Sequence, residues 1–242
     1  MSRGELSMEQ NQGVYEQVGV AMTCRSYQEY VDMFSLTEEI MAQGPILDVG
    51  AGASSFTAEA TARGLSAIAV DPLYELGDQA IYEKGKLEIR ESTEKLARIA
   101  STLHWSYYGS LDNHQKNRED SLERFIQAYR ADTQGQKFVA GVLPHLPFAD
   151  EQFSLVIGSH FLFLYHQQFD EGFHQRALTE LVRVCKPGGQ VRLYPIIGLD
   201  RKPYAHLEQL VQGMERLGCR ASLQPTSFRF LEGATHFLQI VK

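Results

Sequence analysis

The stretch "ILDVGAGASSF", residues 46–56, decides the fold of this chain, because it reads as a buried strand, a glycine-rich turn and the start of a helix. One acid, Asp48, stands inside the apolar run, and two glycines, Gly50 and Gly52, follow it. A core strand needs neither feature. In open parallel sheets, ligands bind at the carboxyl ends of the strands, and glycines let the backbone come close to them. The stretch therefore predicts a strand that ends at a bound ligand.

Strands and helices alternate through most of the chain, which predicts an α/β fold. We expect a doubly wound, mostly parallel, seven-stranded sheet covered by helices on both faces. The connection between the last two strands is too short for a crossover helix, so the last strand is predicted to be antiparallel. The predicted strands span residues 45–50, 66–71, 137–142, 153–160, 190–196, 219–224 and 235–242.

The connection between the second and third strands is about twice as long as the ~30 residues of a whole βαβ unit. Two apolar helical patterns inside it predict an inserted helical cap over residues 75–136. Residues 26–42 also show helical periodicity, so we expect residues 1–44 to form an N-terminal helical extension that acts as a lid. Residues 45–242 are then one doubly wound domain that the cap interrupts.

The composition of the 242 residues is that of a soluble globular protein with a net charge of −7. Nucleic acids and anionic membranes require clusters of Lys and Arg, so the acidic balance argues against both as partners. The three cysteines form no CxxC pair, which predicts reduced thiols and neither a disulfide framework nor a metal site. The chain shows no secretory signal and no run of ~18 apolar residues, so we expect a cytoplasmic protein.

A second acid, Asp71, ends the second predicted strand about 20 residues after the glycine turn, where an acid accepts hydrogen bonds from ribose hydroxyls. The glycine turn and Asp71 together predict the binding site of a nucleoside-containing cofactor. A dinucleotide fingerprint ends in Gly or Ala, but Ser55 holds that position here. The Asp48 carboxylate would repel a pyrophosphate and attract an ammonium group. The pattern favours S-adenosylmethionine, with its ammonium, sulfonium and ribose, and leaves an NAD-dependent dehydrogenase as an alternative.

Four stretches, in order, resemble the class I, Rossmann-like S-adenosylmethionine-dependent methyltransferases. The opening stretch looks like their glycine-loop motif, and "AVDPLY" (69–74) looks like their acidic ribose motif. "HLPFADEQFSLVIGSH" (145–160) and "LTELVRVCKPGGQVRL" (178–193) are similar to the stretches that follow in the family. The resemblance implies a Rossmann-like methyltransferase domain over residues 45–242, S-adenosylmethionine as cofactor and methyl transfer as activity.

The resemblance also implies a cofactor site formed by the loops after four strands. Many family members carry an acid after the third strand that binds the adenine amino group. Val142 stands there in this chain, so we expect the backbone of Leu143 and apolar stacking to hold adenine. The missing acid leaves a second interpretation open, a non-catalytic S-adenosylmethionine-binding or protein-interaction module of the same fold. The predicted cofactor-binding residues are Asp48, Gly50, Ala51, Gly52, Ser54, Asp71, Pro72, Leu73, Val142, Leu143, Ser159 and His160.

The methyl acceptor is predicted to be a small molecule bound beneath the cap, because an enclosed site excludes water. His160 follows the fourth strand directly and is the candidate catalytic residue, as a general base. Tyr30, Trp105 and Tyr108 are candidates for the acceptor wall, although aromatic residues at such positions also serve to pack helices.

Overall fold

A computed structural model describes Gln17 and residues 19–242. Residues 1–16 and Val18, which belong to the predicted N-terminal extension, lie outside the described residues. The described part contains a seven-stranded sheet. Its strands are β1 (Ile46–Val49), β2 (Ala67–Val70), β3 (Phe138–Val139), β4 (Phe153–Ser159), β5 (Cys185–Tyr194), β6 (Arg220–Pro225) and β7 (His236–Val241).

The strands lie in the order β3-β2-β1-β4-β5-β7-β6. The first five in this order are parallel to one another, and β7 runs antiparallel to both β5 and β6. The predicted sheet, with an antiparallel last strand, is confirmed. The chain builds outward from β1 to β2 and β3, and then returns to place β4 on the other side of β1. This reversal is the switch point at which open α/β sheets bind ligands.

Helices cover both faces of the sheet, and several begin at the polar cap residues that their sequences supply. Ser26 and Glu29 form a reciprocal capping box, and Ser110 and Asp170 cap later helices through their side chains. The helices are α1 (Tyr27–Phe34), α2 (Glu38–Met41), α3 (Phe56–Ala62), α4 (Asp78–Arg98), α5 (Leu111–Ala131), α6 (Glu171–Val184) and α7 (Leu207–Arg216).

The insertion between β2 and β3 consists mainly of α4 and α5, which pack against each other. A Cβ atom at Gly85 would lie 2.7 Å from Leu122 Cδ1, so the absence of a side chain there lets the two helices approach closely. Helix α5 also packs on α3, which follows the glycine turn. The insertion is therefore anchored beside the predicted ligand edge of the sheet.

Strand β3 is shorter than predicted, with two residues in place of residues 137–142. It is the edge strand and pairs only with Ala69 and Val70 of β2. Beyond it the chain turns, and Val142 forms an isolated bridge with His145. Residues 140–142 therefore leave the ladder and run along the ligand edge. Among residues 19–242, no helix combines the length and the apolar character that crossing a bilayer would require.

Candidate cofactor and acceptor site

A cavity of about 350 Å³, which we call the cofactor cavity, opens at the carboxyl edge of β1, β2 and β4. Its volume falls in the range of ~300–1,000 Å³ that is usual for cofactor sites. Most of the predicted cofactor-binding residues lie on its wall. They are Gly50, Ala51, Gly52, Asp71, Pro72, Leu73, Val142, Leu143, Ser159 and His160, joined by Tyr30 from α1.

The glycine turn requires glycine because of its backbone conformation. Gly50 and Gly52 have φ angles of +65° and +56°, in the left-handed region. Other L-residues pay roughly 1–2 kcal/mol for this conformation. The Gly50 N–H donates to the Val70 carbonyl at 2.9 Å and ties the turn to the end of β2. The turn thus presents its backbone to the cavity, as the sequence pattern predicts.

The Asp71 carboxylate links the glycine turn to the end of β2. Its Oδ2 accepts from the Gly52 N–H and its Oδ1 from the Leu73 N–H, both at 2.9 Å. The second bond caps the short 3₁₀ turn Pro72–Glu75, so Asp71 also has a structural role. Burial raises the pKa of Asp71, and the two N–H donors oppose that rise. Each carboxylate oxygen keeps a second lone pair, so Asp71 can accept from ribose hydroxyls without losing its backbone bonds.

Two of the predicted cofactor residues lie behind the cavity wall. Asp48 is 1% exposed, and in the described part of the chain neither of its carboxyl oxygens has a partner in hydrogen-bond geometry. Burial raises its pKa well above the usual range; the nearby Tyr30 hydroxyl opposes this and the Asp71 carboxylate adds to it. An ammonium group close by would favour the ionised form. Ser54 is buried, and its Oγ accepts from the Phe56 N–H at the start of α3.

An N-terminal strap, residues 20–23, closes the cofactor cavity over the glycine turn; it lies within the predicted N-terminal lid but is not helical. A Cβ atom at Gly52 would lie 3.4 Å from Met22 Cγ and from the Thr23 backbone. The strap has neither helical nor strand periodicity, so only its contacts reveal it. Three phenylalanines after β4 also line the cavity: Phe161, Phe169 and Phe173. They were not predicted from the sequence, although the run of aromatic residues after β4 could have indicated them.

A second cavity of about 110 Å³, which we call the acceptor cavity, adjoins the first. The two share residues 21–23, Arg25 and His160 as a common wall. Helices α4 and α5 of the insertion and the loops after β4, β5 and β6 close the remaining sides. The apolar lining consists of Ile89, Leu96, Ile99, Leu164, Leu199, Phe230 and Leu231, and the polar lining includes Glu88, Ser92, His114, Arg118, Tyr165 and Arg201.

His160 stands between the two cavities in a left-handed backbone conformation, with φ at +53°. Its N–H donates to the Tyr194 carbonyl at 2.6 Å, and its Nδ1 lies 2.9 Å from Ser159 Oγ. Burial lowers the pKa of His160 well below its usual range, and the positive charges of Arg25 and Arg118 lower it further. The imidazole is therefore neutral near pH 7 and a weak base.

Trp105 and Tyr108 are not on the wall of either cavity, against the prediction that they face the acceptor. The Trp105 indole N–H donates to the Ala100 carbonyl at 2.8 Å, and its ring packs on Phe230. The Tyr108 hydroxyl donates to the buried Glu29 carboxylate. Both polar groups therefore form hydrogen bonds within the protein. Removing either partner would leave a buried donor unpaired, which costs free energy of folding. Tyr30 lines the cofactor cavity rather than the acceptor cavity.

A buried charge cluster lies beside the common wall. The Glu29 carboxylate is fully buried and pairs with both Arg118 and Arg25. Burial alone would raise the pKa of Glu29, but the two guanidinium groups hold it well below its usual range. One carboxylate thus faces two cations, and the excess positive charge lies at the acceptor cavity.

The chain is similar to known methyltransferases in several comparisons. A protein-family model described as "Methyltransferase domain" matches residues 105–193, a range that contains β3, β4 and all of β5 but its last residue. An uncharacterized protein of Methanocaldococcus jannaschii is 29% identical over 218 residues, which are 89% of this chain and 93% of that protein.

Two solved structures are similar to this chain at low identity. One is a putative S-adenosyl-L-methionine-dependent methyltransferase from Methanococcus maripaludis, with 14% identity, a TM-score of 0.43, and coverage of 89% of this chain and 90% of that chain. The other is a SAM-dependent methyltransferase from Aquifex aeolicus, with 12% identity, a TM-score of 0.42, and coverage of 88% and 90%. Residues 105–193 thus match a methyltransferase domain, and the sheet order and the cavity formed by the glycine turn and Asp71 agree with the class I, Rossmann-like methyltransferase fold that the sequence predicts.

Proposed function

We propose that this protein transfers the methyl group of S-adenosylmethionine to a small-molecule acceptor. The observation that carries the proposal is the common wall of the two cavities. The cofactor cavity ends where the acceptor cavity begins, at residues 21–23, Arg25 and His160. A methyl group at this boundary would meet an acceptor atom directly. The smaller volume of the acceptor cavity, about 110 Å³ against about 350 Å³, supports a small acceptor over a protein or nucleic acid.

Different groups of residues would bind the ribose, the amino-acid part and the adenine of the cofactor. Asp71 would accept from the ribose hydroxyls, and the backbone of the glycine turn would lie along the amino-acid part. Val142 and Leu143, with the phenylalanines after β4, would hold the adenine through backbone groups and stacking. The cofactor supplies an activated methyl group on a sulfonium. The protein then has to align the acceptor and exclude water.

His160 suits a positioning role better than that of a general base. A base works best when its pKa lies near the working pH. The pKa of His160 is well below that, because of burial and of the charges of Arg25 and Arg118. The neutral ring and the strap together would separate the two cavities except at the point of transfer.

The test is incubation with methyl-labelled S-adenosylmethionine and a cell extract divided into a low-molecular-mass fraction and a macromolecular fraction. We expect the label in the low-molecular-mass fraction. Label on protein or nucleic acid alone would contradict a small acceptor. Tight cofactor binding with no labelled product in any extract would favour a non-catalytic module of the same fold.

A further inference from the structure

We propose that the acceptor is a small apolar carboxylic acid whose carboxylate is bound by Arg25 and is itself methylated, giving a methyl ester. This inference rests on the proposed function and names its substrate class. The carboxylate would lie at the common wall, with its apolar part in the acceptor cavity.

Arg25 is placed to bind an anion at the point of transfer. It lines both cavities and is 8% exposed. One amino group, Nη1, donates to Glu29 Oε1 at 3.1 Å. Its Nε is buried, and in the described part of the chain it has no hydrogen-bond partner. Because that donor is enclosed by protein, a ligand carboxylate would bind the amino groups of the guanidinium, through charge-assisted hydrogen bonds.

The charge balance around the acceptor cavity favours an anion. Arg118 meets the Glu29 carboxylate with both of its amino groups, at 2.6 and 2.7 Å, and so compensates that charge. The charge of Arg25 is then left in excess. The acid on the cavity wall, Glu88, is paired with Lys84 at 3.2 Å. An anionic ligand would compensate Arg25, whereas a cationic ligand would add to the excess.

The lining of the acceptor cavity favours an acid that is apolar apart from its carboxylate. Most of its wall is aliphatic or aromatic, including Ile99, Leu164 and Phe230. Burial of such a body contributes about 25 cal/mol per Å² of apolar surface. A small aromatic or branched aliphatic acid therefore fits the cavity better than a sugar or a polyamine does.

A carboxylate is also the oxygen nucleophile that this site can use without a base. It is already ionised at pH 7, whereas an alcohol or a phenol would have to lose a proton to the weakly basic His160. A lone pair of the carboxylate oxygen forms the new O–CH₃ bond. The sulfonium–methyl bond breaks and its electron pair stays on sulfur. The products are a methyl ester and S-adenosylhomocysteine, and no proton is transferred.

The experiment compares acids with their neutral amides on protein saturated with S-adenosylhomocysteine. The probes are benzoate, phenylacetate and hexanoate, each paired with its primary amide, and affinities are measured by calorimetry. We expect at least one acid to bind ten times or more tighter than its amide. Arg25→Gln should abolish that preference, and Arg25→Lys should keep part of it. Arg216→Gln, at an exposed arginine on α7, should leave it unchanged. Equal affinities of acid and amide in every pair would overturn the inference.

The same experiment separates this inference from the proposed function. No binding of S-adenosylhomocysteine by the unaltered protein would refute the proposed function itself. Arg25 also lines the cofactor cavity, so it could instead hold the carboxylate of the cofactor. In that case Arg25→Gln would weaken S-adenosylhomocysteine binding tenfold or more and would not alter the acid-to-amide ratio, and the inference would be wrong.

A chemical readout completes the test. Methyl esters release labelled, volatile methanol on mild alkaline treatment, whereas methyl ethers and methylamines do not. We expect the low-molecular-mass product formed from methyl-labelled cofactor and the acids to release its label in this way. An alkali-stable product would overturn the assignment of the carboxylate as nucleophile.

Discussion

Glu29 and Arg118 lie 89 residues apart in the chain and form a buried, two-pronged ion pair, with N–O distances of 2.6 and 2.7 Å. Glu29 belongs to α1 and Arg118 to α5 of the insertion, and their side chains are 0% and 4% exposed. The pair fastens the N-terminal helix to the insertion. Helix α5 lines the acceptor cavity, and α1 begins two residues after Arg25 of the common wall and contributes Tyr30 to the cofactor cavity. This contact therefore helps to fix the shape of the site.

Breaking this pair should destabilise the protein strongly. Glu29→Gln leaves the Arg118 guanidinium buried without its counter-charge, which costs about 3–5 kcal/mol in comparable cases. Urea unfolding followed by circular dichroism measures the change. Glu94→Gln, at an exposed glutamate on α4, should change stability by no more than about 0.5 kcal/mol. Equal stabilities of the two variants would show that the pair contributes little.

His114 should make stability fall as the pH drops below about 6.5. Burial lowers the pKa of His114 to about 2, with the charge of Arg118 contributing. Between these values the unfolded chain binds a proton at this site and the native state does not. The stability present above pH 6.5 is thus lost on acidification, at up to about 1.4 kcal/mol per pH unit.

Replacing His114 by Phe tests this, because Phe keeps the ring that stacks on Phe230 and has no proton to bind. We expect unfolding free energies measured from pH 7.5 to 5.0 to fall less steeply in His114→Phe than in the unaltered protein. Other buried groups, such as His160, contribute equally to both proteins. Parallel pH profiles would contradict a buried neutral His114.

Gly52→Ala should weaken cofactor binding beyond its effect on stability. Its positive φ makes alanine unfavourable by roughly 1–2 kcal/mol, so the turn that lines the cavity would shift, and the new Cβ would contact the strap. Gly64→Ala is a matched control, because Gly64 also has a positive φ, at +81°, but has open space around it away from the cavity. We expect similar losses of stability in both variants. Only Gly52→Ala should lower the affinity for S-adenosylhomocysteine in calorimetry.

Asp71→Ala should reduce the affinity for S-adenosylhomocysteine by about 10- to 150-fold, because each hydrogen bond to a charged acceptor contributes ~1.5–3 kcal/mol. The variant also loses the bonds to Gly52 and Leu73, so its unfolding free energy has to be measured alongside. A comparison with adenine separates the two effects, since adenine lacks the ribose. Equal losses of affinity for both ligands would point to a distorted turn rather than lost ribose contacts.

His160→Asn should lower the rate of methyl transfer by less than about tenfold and leave its pH profile unchanged. Asparagine tolerates the left-handed conformation at this position, so the turn is kept. General bases typically contribute ~10²- to 10⁴-fold. A loss of that size, together with a lost pH dependence of the rate, would show that His160 is a base after all.

The sequence alone determined the sheet and the position of the glycine turn and of Asp71 at one edge of it, because these depend on local patterns. Buried strands read as short apolar runs, and all four residues of β1 are indeed buried. The left-handed turn requires Gly50 and Gly52, and the acid at the end of β2 is where a ribose is expected to bind. Such features are set by residues close together in the chain, so their order along it was enough to predict the sheet and the position of the turn and acid.

Only the tertiary structure decided which residues close the site. Arg25, the strap and Phe230 carry no periodic signal, and they meet because α1, the insertion and the loop after β6 converge at the switch point. The sequence could not decide whether Trp105 and Tyr108 face the acceptor or pack helices, and in the structure they bond to Ala100 and Glu29. Contacts between residues distant in the chain depend on how whole elements pack, and no local pattern encodes that packing. The same long-range packing joins Glu29 to Arg118 and leaves the charge of Arg25 facing the acceptor cavity.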